Sequence, residues 1–135
     1  VATVLMLGLL TASAFRKVVL LDILHLQANR RAARTYANVE LISADVTGVS
    51  RDVYRAARRQ DLQAPLKSTP PKLTQNRFDL IISANVLSQL AVIPCNFLKG
   101  HCPAIAQERL SALTKDVIET HLAWISASAE RNSAR

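Results

Sequence analysis

The chain has 135 residues, half of them hydrophobic, so it is long enough to bury a core of its own. With 20% charged and 4% aromatic residues it is globular rather than disordered, and its core must be aliphatic. Three glycines and five prolines are few for an all-β protein, and a net charge of +7 admits an anionic partner without establishing one.

The first fourteen residues, VATVLMLGLLTASA, are similar to a signal-peptide core ending in an A-x-A-like site, Ala12-Ser13-Ala14. No basic residue precedes that core, no methionine opens it, and the apolar run is too short to span a bilayer. We therefore read residues 3–7 as a buried strand, Gly8 as the turn after it, and the protein as cytoplasmic.

Residues 17–22, KVVLLD, are apolar on both faces, as a strand in a parallel sheet must be. Residues 25–36, HLQANRRAARTY, are rich in Ala, Arg and Gln and predict a helix. A third strand follows at residues 38–44, NVELISA, ending at Asp45. Residues 51–62 predict a helix with Arg51, Arg55, Arg58 and Arg59 on one face and Val53, Ala56 and Ala57 on another. Residues 63–77 are polar and proline-bearing, the expected flexible loop, and residues 78–84, FDLIISA, predict a fourth strand. From Pro103 to about residue 128, Leu110, Leu113, Val117, His121, Trp124 and Ile125 recur at helical spacing. Glu108, Lys115, Asp116 and Glu119 fall on the opposite face of that helix.

Strands alternating with helices predict an α/β fold, a Rossmann-like parallel sheet with helices on both faces, in a single domain over residues 1–135. About four strands are visible, and a first crossover and later strands are missing. Ligands of such sheets bind outside the carboxyl ends of the strands, so the residues ending each strand carry the functional reading.

Asp22 ends the second strand, where an acid can accept hydrogen bonds from both hydroxyls of a ribose. Asp45 ends the third, within reach of an adenine amino group, and Ser83 and Asn85 end the fourth. Each has a structural alternative: Asp22 and Asn85 as helix N-caps, and Asp45 as a cap or turn residue ahead of Thr47 and Gly48.

Together these segments resemble the class I S-adenosylmethionine-dependent methyltransferases. VVLLDI, with Asp22 and Ile23, is similar to that family's second-strand motif, whose acid holds the ribose. NVELISADVTG is similar to its third-strand motif, which implies that Asp45 meets adenine and Val46 lies against the base. FDLIISANVLSQL is similar to the fourth, beside the methionine part of the cofactor, which implies roles for Ser83 and Asn85. The resemblance spans roughly residues 1–90 and implies S-adenosylmethionine as cofactor.

The chain departs from that family at its first motif. A glycine-rich loop should follow the first strand, where the backbone approaches the cofactor, and only Gly8 is present. The segment from Gly8 to Arg16 is also shorter than a parallel crossover requires. Either residues are missing between Leu7 and Arg16, or the crossover is absent and the site is damaged.

No catalytic residue is assigned. His25, His101 and His121 are candidate bases by type alone, and His121 on an apolar helix face reads better as a packed side chain. Cys95, Cys102 and His101 lack the ligand spacing of a zinc site, so no metal is expected. Without interleaved aromatics, the arginine stripe and the Arg30/Arg31/Arg34 cluster read as solvated surface rather than a nucleic-acid site. The expectation is a methyltransferase-like protein that binds S-adenosylmethionine, with an unknown acceptor and no membrane association. A non-catalytic scaffold of the same type and an NAD-binding protein are the alternatives.

Overall fold

The computed structural model describes residues 15–73, 77–83, 87 and 89–129. The chain divides between Asp45 and Val46 into two compact units. The first contains β1 (Val18–Asp22), α1 (Gln27–Ala33) and β2 (Val39–Ser43). The strands pair in parallel, Val18 opposite Val39 through Asp22 opposite Ser43. A parallel pair needs a crossover, and α1 supplies it. Because side chains alternate along a strand, Val18, Leu20, Val39 and Leu41 share one face while Val19, Leu21, Glu40 and Ile42 share the other.

Local bonds hold this unit in register. The Val18 amide donates to the Asn38 carbonyl at 2.8 Å, and the Asn38 side chain donates to the Phe15 carbonyl at 3.0 Å. His25, buried after β1, donates from Nε2 to the Ile42 carbonyl at 2.9 Å. Lys17 and Glu40 pair at 2.6 Å, with both side chains about half exposed. That pair adds little stability at such exposure.

The second unit is helical: α2 (Ser50–Arg59), α3 (Val92–His101) and α4 (Gln107–Ser128). Its core is aliphatic, as the composition requires: Val49, Val53, Ala56, Ala57, Leu90, Leu98, Cys102, Leu110, Leu113 and Val117. The expected faces of α2 and α4 are those observed, with the four arginines of α2 exposed and Leu110, Leu113, Val117 and His121 buried. Cys95 and Cys102 are free thiols.

Four features depart from the sequence reading. First, the described residues hold two strands in one sheet and four helices, a small mixed α/β fold rather than a four-stranded Rossmann-like sheet. Residues 78–83 run outside any strand, and only Phe78 forms a bridge, to Ala129 just beyond α4. An apolar run becomes a strand only beside a neighbour that accepts its backbone bonds. Here the neighbour is one residue long, and Leu80 and Ile82 are half exposed.

Second, α3 carries VIPCNFLKGH, a poor helix sequence that periodicity and propensity do not reveal. Pro94 is tolerated because it lies in the first turn, where no acceptor waits for its missing amide hydrogen. Third, α4 begins at Gln107 instead of Pro103. Fourth, Asp116 is not a solvated face residue, because its Oδ2 accepts the Ser68 amide at 2.6 Å.

Residues 61–73 are irregular, and side chains tie them down. The Arg109 guanidinium donates to the carbonyls of Leu62 and Ala64, and the Ser68 hydroxyl donates to the Thr47 carbonyl. Gly48 makes that approach possible. Its φ is +62°, and a Cβ placed there would collide with the Thr69 carbonyl oxygen. The expected first strand at residues 3–7 lies outside the described residues.

Candidate functional site

The parallel register decides where the strand-end acids sit. Asp22 is the last residue of β1 and faces Ser43, the last of β2. The ladder extends one step further, with the Ala44 amide donating to the Asp22 carbonyl at 2.9 Å. Asp45 is the next residue, so both acids stand at the carboxyl end of the strand pair, Asp22 on β1 and Asp45 two residues beyond β2.

Asp22 is exposed, and its Oδ1 accepts the Ile23 amide at 2.7 Å. That short bond orients the carboxylate and leaves Oδ2 without a hydrogen bond from the described residues. Ile23, Leu24 and Leu26 follow, each more than half exposed. Asp45 is partly buried.

Neither acid occupies the N-cap position of α1 or α2. The N-cap of α1 is Leu26 and that of α2 is Val49. Ahead of α2, the Thr47 hydroxyl accepts the Val49 amide at 3.3 Å.

The other cofactor residues expected from the motifs have different surroundings. Val46 belongs to the helical unit and packs against its core. Ser83, also in that unit, is hydrogen bonded to His121, Oγ to Nε2 at 3.0 Å. Gly8 and Asn85 lie outside the described residues.

The contact between Ser83 and His121 was not legible in the sequence, since the two are 38 residues apart and no motif links them. His121 is buried, and burial holds its pKa below the usual value of 6.5. A neutral imidazole against a serine hydroxyl is the first requirement of an activated nucleophile. The second is an acceptor that fixes the far nitrogen. His121 Nδ1 is buried with no hydrogen-bond partner among the described residues. Leaving an acceptor nitrogen unpaired is less costly than leaving an N–H unpaired, so we place the hydrogen on Nε2, pointing at Ser83. In that tautomer the imidazole cannot take the serine proton.

The remaining histidines are also engaged. His25 holds the end of β2, and His101 Nδ1 donates to the Phe97 carbonyl at 2.9 Å with its ring stacked on Phe97. Among the described residues no three His, Cys, Asp or Glu side chains converge as metal ligands do. No described helix is long and apolar enough to cross a membrane. No protein-family model, curated protein or solved structure matches the chain.

Proposed function

We propose that the carboxyl end of the β1–β2 pair binds the adenosyl group of S-adenosylmethionine. Asp22 accepts the two ribose hydroxyls, Ile23 offers an exposed apolar surface beside them, and Asp45 accepts the adenine amino group. The observation carrying this reading is the shared end of the two acids: parallel pairing puts Asp22, the last residue of β1, and Asp45, two residues beyond β2, at the same end of the pair. An acid on the first strand alone would serve the ribose of NAD equally well. The second acid, just beyond the adjacent strand, favours the methyl donor.

A second reading is a nucleoside-binding module without methyl transfer. It rests on Ser83, whose hydroxyl oxygen is engaged by His121. Isothermal titration with S-adenosylmethionine, NAD and adenosine separates these readings. Binding of the methyl donor more tightly than adenosine supports the first, equal binding of adenosine supports the second, and binding of NAD alone removes both.

A further inference from the structure

A separate feature lies toward the other end of the same unit. A cavity of about 350 Å³ opens between the last turn of α1 and the start of β2. Arg30, Arg34 and Tyr36 line it together with Ala33, Val39 and Leu41. It is an open depression of the surface whose lining combines apolar residues with two exposed arginines.

The two arginines are one helical turn apart, where like charges repel. Neither forms an ion pair with a described residue. Glu40 lies on the opposite face of β2 and is held by Lys17. Asp22 and Asp45 stand at the far ends of their strands. The Arg30 Nε donates to the His25 carbonyl at 3.0 Å, which fixes its guanidinium and leaves the terminal nitrogens to point elsewhere.

Cations in the last turn of a helix are commonly a response to the helix dipole. Arg31 fills that role in the same turn without lining the cavity. Arg30 and Arg34 differ from Arg31 in lining the cavity.

We propose that this cavity binds a small phosphorylated molecule, with the phosphate between Arg30 and Arg34 and an apolar or ring portion over Ala33, Val39 and Leu41. A guanidinium matches phosphate oxygens in bidentate fashion, which a lysine cannot do. Tyr36 lines the same cavity. The cavity is distinct from the strand-end acids and does not depend on the adenosyl reading.

The test is a titration of the full chain, at constant ionic strength, with phenyl phosphate and inorganic phosphate. Phenyl phosphate should saturate and bind more tightly than inorganic phosphate, because only it covers the apolar floor. Arg34→Gln should weaken phenyl phosphate by about tenfold or more, as losing one charge-assisted pair implies. Arg34 makes no side-chain hydrogen bond to a described residue, so this variant should keep its fold by circular dichroism. Arg34→Lys should recover only part of the loss, and Arg31→Gln should stay within about twofold of the parent, which is less than 0.5 kcal/mol. Equal weakening by Arg31→Gln and Arg34→Gln would mean diffuse charge and overturn the site. So would no saturation up to about 10 mM, the weak end of the affinity scale. Tighter, strongly salt-dependent binding of a short single-stranded RNA would replace the small-molecule reading with a nucleic-acid surface.

Discussion

The Oγ of Ser83 and the Nε2 of His121 are 3.0 Å apart, a hydrogen bond that joins the irregular segment before residue 84 to the buried face of the longest helix. Burial lowers the pKa of His121, so as the pH falls the unfolded chain takes up this proton before the folded one. The stability tied to the neutral ring is therefore fully present above the ordinary histidine value of about 6.5 and is lost as the pH drops below it. Urea midpoints at neutral pH and at about pH 5.5 should differ more for the parent than for His121→Phe, which cannot protonate. An identical pH dependence in the two proteins would show that His121 does not titrate with folding.

The two described glycines should respond in opposite directions to alanine. Gly48→Ala puts a Cβ into the Thr69 carbonyl at a left-handed φ, and it should destabilise by more than the roughly 1 kcal/mol of an ordinary strained position. Gly100 is in α3 with nothing within 4 Å of an added Cβ. Gly100→Ala should stabilise by about 0.5–1 kcal/mol, the propensity difference inside a helix. Thermal unfolding of both variants decides the point; a stabilising Gly48→Ala would contradict the close approach of residues 48 and 69.

Leu98 tests whether α3 exists. It is 1% exposed and belongs to a core shared with Val53, Leu110 and Val117. Leu98→Ala should cost about 2–5 kcal/mol by transfer and cavity terms. Ile93 on the same helix is 78% exposed, and Ile93→Ala should stay within about 0.5 kcal/mol of the parent. Similar effects at both positions would mean the face assignment is wrong.

Asp22→Ala should weaken S-adenosylmethionine by about 1–3 kcal/mol, the usual loss when a charge-assisted hydrogen bond is removed. Because Asp22 is exposed, its removal should leave the urea midpoint unchanged, which separates binding from folding. An unaltered affinity in calorimetry would take Asp22 out of the site, and the Ile23 amide would then be its sole partner.

Much of the local structure was legible in the residues themselves. The run Val18 to Leu21 made a strand, the third-strand segment made β2, and the arginine and alanine faces of α2 were visible from spacing. So was the apolar face of α4. These elements declare themselves because side-chain periodicity is a property of the chain alone. The position of Asp22 and Asp45 at strand ends also followed from order and hydropathy.

Tertiary structure decided what those elements joined. FDLIISA has the composition of a strand, yet pairing is a relation between segments, and its neighbour turned out to be a single residue at Ala129. α3 contains a proline and a glycine that argue against a helix, and the core around Leu98 and Cys102 outweighs them. Ser83 is hydrogen bonded to His121 across a separation that no local pattern encodes. Likewise Arg30 and Arg34 formed a solvated cluster in one dimension, and only the fold of β2 against α1 set them around a cavity. Local preference is written residue by residue, whereas pairing, burial and convergence are decided by whichever distant segments satisfy one another's backbone and apolar surface.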